Sequence, residues 1–390
     1  MSSFNEAVDA PRRGAVSIFM VIFVALVVSV MTVAFVRIAL RDRGLAVNQD
    51  LSQSAYDAAL AGVEDGKRAL SRYYAASNKS VAPYYRVNTP ARSDCNDVNA
   101  ILGNSFGERR IESGGADMEQ AYTCAQLSNR VDDFRVSLQQ DEQVLFPLPN
   151  NADSILIEWA HVRDDGGTGA TPFNVPTGTV APSTLPTQAS WAAYRPALLE
   201  TQLIQAGGTF TLDSFNNIDS GRSNSNTLFL YPLRLAAPSS ANFTSDVRRA
   251  SGSTTHPTPA QCTQTPNPNG DGAHSCAMRI TLPSARDTGA VSARFLRLSP
   301  RYAGNSIKVT AYRAGVPVPF IDVQVKADVT ARANDVYRRV EVRLDSPNVM
   351  YPGTSDGPGA AVNIRGNLCK VFRVAADPVD YLANRTICEP

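Results

Sequence analysis

One serine stands in a motif that hydrolases use. Ser105 is the centre of the run 103–107 (GNSFG), which matches G-x-S-x-G, the turn that presents a nucleophilic serine in α/β-hydrolases. Three histidines, His161, His256 and His274, follow it and would have to supply the base. The motif acts only between a strand and a helix of a parallel sheet, and the surrounding sequence has no alternating strand–helix pattern. We therefore expect no catalysis.

A second run has the start of a calcium loop. Asn267, Asn269 and Asp271 alternate as the first oxygen ligands of such a loop do, but Met278 stands where a bidentate glutamate is expected. An ordinary turn explains the run better. We expect no metal and no cofactor, and these three residues are the weak candidates for a cation site.

The six cysteines have an even count, which suits disulfides in an exported protein and thiols or metal ligands in a cytosolic one. There is no C-x-x-C, so zinc-ribbon and thioredoxin sites are excluded by spacing. Six cysteines allow fifteen connectivities, and the sequence does not choose between them. Nearest-neighbour pairing would join Cys95 to Cys124, Cys262 to Cys276, and Cys369 to Cys388.

The composition is close to that of an ordinary globular protein. The 390 residues carry a net charge of +1, with 43% hydrophobic and 19% charged residues. These values argue against wholesale disorder and a polytopic membrane protein. Near-neutral charge also argues against a nucleic-acid binder, so we expect no nucleic-acid partner.

The average conceals one apolar block near the N-terminus. None of the 37 basic and 36 acidic residues lies in Ala15 to Val36. As a helix this block spans about 33 Å, enough for the hydrocarbon core of a bilayer. Arginines flank it on both sides, so charge does not set its orientation. We expect a permanent membrane helix, and disulfides would require the bulk of the chain to be outside.

The helix is predicted to continue to about residue 75. There is no proline between Pro11 and Pro83, and the sequence is rich in helix formers. Apolar residues, most of them small, recur at intervals of three, four or seven positions and so form one stripe along the helix: Val47, Leu51, Ala55, Ala58, Gly62 and Ala69. Small residues on this stripe would let a sheet or another helix approach closely.

These features together resemble a known family. A short polar leader ending in Arg12-Arg13-Gly14, then a hydrophobic helix that becomes amphipathic, resembles the class III signal peptide of type IV pilins and type II secretion pseudopilins. The run 52–70 looks like the helix of PilX-like minor pilins, and 323–344 like their closing strand pair. The resemblance implies cleavage after Gly14 by a prepilin peptidase and N-methylation of Ala15. It also favours the pairing Cys369–Cys388, because many pilins staple their C-terminus.

One departure from the family is informative. Major pilins carry glutamate at the fifth mature position, where it is thought to pair with the terminal amine of a neighbouring subunit. Counted from Ala15, that position is Phe19. K-type pseudopilins and many PilX-like minor pilins also lack the glutamate, and the K-type proteins lie at the filament tip. The resemblance therefore implies a minor, tip-located subunit; alternatively Phe19 only faces lipid in a protein that never enters a filament.

The rest of the chain reads as β-rich. Ile321, Val323, Val325, Ala327 and Val329 alternate with polar residues, which predicts a strand with that set buried. Residues 339–344 alternate in the same way, and 331–335 would be the turn of an antiparallel hairpin. Further strands are predicted at 134–138, 155–162, 197–204, 227–235, 277–282, 295–298 and 307–311. The fold class is α+β: a long N-terminal helix packed on an antiparallel sheet, with an enlarged β-rich ectodomain.

We divide the chain accordingly. The segments are a cytoplasmic leader 1–14, a transmembrane half-helix 15–36, an amphipathic half-helix 37–75, a β-rich ectodomain 76–345 and a disulfide-stapled C-terminal region 346–390. The expected partners are prepilin peptidase, membrane lipid before assembly, other pilins through the N-terminal helix, and a surface ligand that the sequence does not identify. We expect the cytoplasmic membrane and then an extracellular pilus.

Three hypotheses for function follow. The first is a non-catalytic minor type IV pilin or pseudopilin that acts in assembly initiation, adhesion or surface recognition. The second is a single-pass, membrane-anchored extracellular binding protein unrelated to pili. The third and weakest is an anchored ectohydrolase that uses Ser105.

Overall fold

The computed structural model describes residues 14–88, 95, 97–104, 108–111, 119–162, 172–206, 227–243, 257–265, 273–282, 293–347 and 349. These residues form three α-helices: α1 (Gly14–Ala75), α2 (Tyr85–Asn88) and α3 (Asp97–Leu102). A 3-10 turn spans Gln188–Ser190. The strands in chain order are β1 (Arg109–Arg110), β2 (Gln120–Val131), β3 (Phe134–Leu138), β4 (Val144–Pro147), β5 (Ser154–His161), β6 (Leu198–Ala206), β7 (Thr227–Leu233), β8 (Ser239–Asn242), β9 (Thr258–Cys262), β10 (Cys276–Thr281), β11 (Ala293–Arg301), β12 (Asn305–Arg313), β13 (Val316–Val318), β14 (Phe320–Ala333) and β15 (Val336–Asp345).

The described chain forms two compact units. Unit 1 contains the described residues up to Leu127 together with Ala327–Val342. Unit 2 contains Ser128–Lys326 and the described residues from Arg343 onward. Strands β2, β14 and β15 each contribute residues to both units. The predicted ectodomain 76–345 is likewise divided between the two units.

Helix α1 runs unbroken through the predicted membrane and amphipathic segments. It has 62 residues, so at 1.5 Å per residue it is about 93 Å long. The predicted stripe is buried at Ala55, Ala58 and Gly62, but Val47 is exposed. The stripe is thus covered only over the last turns of the helix.

Unit 1 packs the covered part of α1 on the sheet that has the order β1-β2-β14-β15. A Cβ added at Gly62 would lie 2.6 Å from Val329 Cγ1 and 3.2 Å from the Tyr122 ring. Ala327, Val329, Ala331 and Ala333 of β14 are buried. Small residues on both elements let the helix and the sheet approach closely.

The hairpin β14–β15 matches the predicted pair, and its turn at Asn334–Asp335 lies within the predicted turn 331–335, although β14 continues to Ala333. The prediction for Ile321 was wrong, since its side chain is 52% exposed whereas Phe320 and Val323 are buried. Asp322 has a φ of 55°, and this left-handed residue interrupts the alternation of the strand. From Val323 onward the alternate apolar residues are buried as predicted.

Unit 2 is built on the larger sheet. Its strand order is β13-β12-β5-β10-β9-β7-β6-β11-β4, with β3 paired to β12 and β8 paired to β10. The pairs β7–β9 and β8–β10 are parallel, whereas β5 pairs with both of its neighbours antiparallel. The sheet is therefore mixed, not purely antiparallel.

The core of unit 2 is apolar and aromatic. Trp159 is fully buried, and the Phe134 and Phe146 rings stack with centroids 3.9 Å apart. The predicted strands near 134, 155, 197, 227, 277, 295 and 307 correspond to β3, β5, β6, β7, β10, β11 and β12. The fold class is α+β, with a long N-terminal helix and a large β-rich region, as the sequence predicts.

Candidate functional site: an exposed apolar helix held by buried polar contacts

The first half of α1 presents apolar side chains outward on every side. From Ile18 to Val36 the large apolar residues other than the half-buried Val27 are more than half exposed, and Phe19, Phe23 and Phe35 are 74%, 69% and 71% exposed. Soluble proteins rarely leave so large an apolar surface in water. Among the described residues, α1 is the one helix long and apolar enough to cross a membrane. It fits a single-pass membrane anchor.

Two hydroxyl groups in this half are satisfied inside the helix. Ser29 Oγ donates to the Ala25 carbonyl at 2.7 Å, and Thr32 Oγ1 donates to the Val28 carbonyl at 2.8 Å. Polar groups in hydrocarbon need such partners, because no water is available there. Both side chains are therefore compatible with a lipid environment.

Charged residues begin where the apolar block ends. Arg37, Arg41, Asp42 and Arg43 follow it on the same unbroken helix, and all four are exposed. Long cationic side chains at this position can reach the headgroup region while their stems lie along the apolar boundary. The change in residue type marks one edge of the apolar segment that fits a membrane anchor.

The second half of α1 is fixed by a buried carboxylate. Asp65 is 7% exposed, and its Oδ2 accepts a hydrogen bond from the Tyr122 hydroxyl at 3.0 Å. Arg109 Nη1 lies 3.3 Å from Oδ2, and Arg68 Nη1 lies 3.1 Å from Oδ1. Burying a charge is costly unless it is paired, and these contacts supply the pairing. The helix is thereby fixed to β1 and β2 by directional contacts as well as by apolar packing.

The Tyr122 hydroxyl is held in its protonated form. Burial, followed by the charge and the hydrogen bond of Asp65, raises the pKa of Tyr122 to about 12. The same hydroxyl oxygen lies 3.0 Å from Oδ1 of the buried residue Asn99 on α3. This group of residues connects α1, α3 and the sheet within unit 1.

The predicted processing residues lie at the start of α1. Gly14 is the first residue of the helix and Ala15 the second. Phe19, the fifth residue from Ala15, is among the most exposed apolar side chains of the described chain. Residues 1–13 lie outside the described part.

The structure joins two cysteine pairs by disulfides. Cys95 is bonded to Cys124, and Cys262 is bonded to Cys276. These are the pairs that nearest-neighbour pairing gives. Cys369 and Cys388 lie outside the described residues.

The hydrolase motif has the wrong local context. Ser105 is itself outside the described residues, but Gly103 follows helix α3 with a φ of 78°, and Asn104 N donates to Asn99 O at 2.9 Å. The motif therefore follows a helix end, whereas a nucleophile elbow follows a strand. Of the histidines, His161 ends β5, and His274 Nε2 lies 3.4 Å from Ser306 Oγ.

The weak cation candidates Asn267, Asn269 and Asp271 are likewise outside the described residues. Within the described part, no three His, Cys, Asp or Glu side chains converge as a metal site would require.

Sequence reasoning missed Asp65. It lies three residues after Gly62 and four before Ala69, so helical spacing places it on the buried stripe. An acidic residue at such a position indicates a buried, paired carboxylate. Tyr122 and Arg109 are distant in sequence, and no local signal connects them to it.

Comparison with models of known protein families, with curated proteins and with solved structures finds no match.

Proposed function

We propose that this protein is a minor type IV pilin or pseudopilin. It is anchored by the first half of α1, processed after Gly14 and inserted at or near the tip of a filament. Its role is assembly initiation, adhesion or surface recognition, without catalysis.

The observation that carries the proposal is the single helix α1. Its segment Ala15 to Val36 carries no charge and exposes most of its large apolar side chains, and its last turns are packed on a sheet through Gly62 and its neighbours. A helix of this kind can be buried in lipid before assembly and against other apolar helices afterwards. Each large apolar residue at the centre of a membrane helix favours insertion by about 0.3 to 0.6 kcal/mol.

Phe19 supports a minor rather than a repeated subunit. Its exposed ring has no charge to pair with the terminal amine of a neighbouring subunit. A repeated shaft subunit without that partner would leave the amine uncompensated in an apolar core, which is costly. The size of the protein supports the same conclusion, since removing 14 of 390 residues would leave 376.

The test is a leader-processing assay. We expect Gly14→Ala to leave a membrane-bound precursor that is longer than the wild-type protein by the leader. The matched control is Gly44→Ala, because Gly44 also lies in α1 and a Cβ there would meet nothing within 4 Å. Immunoblots of the membrane fraction should show a precursor for Gly14→Ala and mature protein for Gly44→Ala and wild type.

The single-pass binding protein makes the opposite prediction. It shares the anchor but needs no leader cleavage, so all three chains would migrate alike. Equal migration of wild type and Gly14→Ala would therefore overturn the pilin proposal and favour this alternative.

A further inference from the structure

A groove of about 410 Å³ lies on unit 2, lined largely by apolar residues. Its lining includes Pro147, Pro149, Pro319, Ile321 and Val323. Proline has no backbone N–H, so the lining offers few donors for pairing with an added strand. The groove therefore fits apolar side chains better than an extended backbone.

The groove is also lined by a cation. Arg130 lines it and is half-buried; its backbone N–H donates to Ser128 Oγ, and its carbonyl oxygen accepts from the same hydroxyl group. Its guanidinium has no ion pair among the residues that the structure describes. A half-buried guanidinium is stabilised by a carboxylate, so the occupant should combine apolar side chains with a negative charge.

The segment that follows β15 contacts the strand that lines the groove. Ser346 N donates to the Val323 carbonyl at 3.1 Å, and Ser346 Oγ donates to the Asp322 carbonyl. Both acceptors belong to the strand segment that lines the groove. Val349 is 4% exposed and belongs to the same apolar cluster as Leu148 and Val323.

From these contacts we infer that the C-terminal segment 350–390 of the same chain occupies the groove. It follows Val349 directly in the chain and has 41 residues, more than enough to reach the groove. It supplies apolar residues in the run Leu368–Val374 and carboxylates at Asp377, Asp380 and Glu389. Docking buries Ile321, which is 52% exposed in the described chain, and gives Arg130 its carboxylate. The inference does not depend on the pilin proposal.

A site-specific photo-cross-linker tests this inference in the full-length protein. The reactive side chain replaces Ile321, and dilute detergent-solubilised protein is irradiated, digested with trypsin and analysed by mass spectrometry. Arg365, Lys370, Arg373 and Arg385 divide the segment into separate tryptic peptides. The expected product is a link within one chain between the Ile321 peptide and a peptide from 350–390.

The matched control places the same probe at Val316. That residue is 65% exposed and lies in unit 2, but it does not line the groove. It should give no link to 350–390. The inference is overturned if Ile321 gives no such link, if it links only to a second copy of the chain, or if Val316 gives the same product. Circular dichroism of both probe variants confirms that the fold is retained.

Discussion

Gly62 and Gly66 lie about one turn apart on α1, but the sheet approaches them to different distances. An added Cβ would meet Val329 Cγ1 at 2.6 Å at Gly62, whereas its nearest neighbour at Gly66 would be Leu127 Cδ2 at 3.7 Å. The first contact is shorter than real Cβ atoms make, and the second is ordinary van der Waals contact. Val329 is β-branched and fully buried, so it has little freedom to move away.

Gly62→Ala should therefore lower the free energy of unfolding of unit 1. Overpacking should cost about 1–3 kcal/mol, and the higher helix propensity of alanine should offset about 1 kcal/mol of that cost. Gly66→Ala gains the same propensity without the clash, so it should be neutral or stabilising by up to about 1 kcal/mol. Thermal unfolding followed by far-ultraviolet circular dichroism in detergent compares the two. A lower melting temperature for Gly66→Ala than for Gly62→Ala would contradict the close packing.

Asp133 illustrates a buried carboxylate held in its charged form. Burial alone would raise its pKa, but the hydrogen bonds from Arg135 and the charge of Arg343 outweigh burial and hold the pKa of Asp133 below its usual range. Arg343 Nη2 lies 2.6 Å from Oδ1, and Arg135 Nη2 lies 2.8 Å from Oδ2. The folded state therefore binds this proton less readily than the unfolded chain.

The sign of the pH effect follows directly. The stabilisation from Asp133 is complete above the unfolded pKa of about 3.9 and is lost as the pH falls through the lower folded value. Asp133→Asn should cost about 1–2 kcal/mol at neutral pH, and the difference from wild type should shrink below about pH 4. Asp132→Asn is the control, because Asp132 is exposed. Denaturant unfolding across pH 2–7 measures both, and a wild-type advantage that persists unchanged at the acid end would refute this account.

Individual residues show where sequence reasoning stops. Alternation predicted the buried apolar residues of β14 correctly from Val323 to Val329 but failed at Ile321. The failure follows from the left-handed backbone at Asp322, whose carboxylate accepts a hydrogen bond from Asn129 Nδ2 at 2.9 Å. That partner is 193 residues away, so no local pattern could have indicated it.

At the scale of elements, α1 was fully predictable, because helix propensity, the absence of proline and the apolar block all agree. β2 was missed. Its buried positions do alternate from Ala125 onward, but they include the short side chain of Ala125 and the polar Asn129. A polar residue is buried there only because a distant strand satisfies it, and period-two reasoning counts it as exposed.

The pair Cys262–Cys276 joins β9 to β10 at directly opposite register positions, and both residues are fully buried. It closes a sequence separation of 14 residues, for which the chain-entropy model gives about 3 kcal/mol. Replacing both cysteines by alanine should lower the stability of unit 2 by about that amount.

Tryptophan fluorescence measures this effect selectively. The protein has two tryptophans, and both Trp159 and Trp191 belong to unit 2. The fluorescence-detected transition should move to lower temperature in the Cys262→Ala/Cys276→Ala variant. It should move much less in Cys95→Ala/Cys124→Ala, whose disulfide lies in unit 1. Equal shifts for the two variants would show that the units do not unfold separately.

For the molecule as a whole, the sequence predicted the fold class but not the division into two units. The boundary between the units falls within strands β2, β14 and β15, not between elements. The pairing of these strands brings together residues about 200 positions apart, which no local pattern indicates. The overall composition, with its net charge of +1, indicates neither this division into units nor the uncharged segment Ala15 to Val36. The proposed function depends mainly on that segment and on its first residues.

The central claim is that the mature protein starts at Ala15. The most direct test is N-terminal sequencing by mass spectrometry of the protein recovered from membranes and from filaments sheared off the cell surface. The account predicts an N-methylated Ala15 as the first residue in both fractions, with the sheared fraction containing only a little of the protein. A chain that begins at Met1 in both fractions would contradict it.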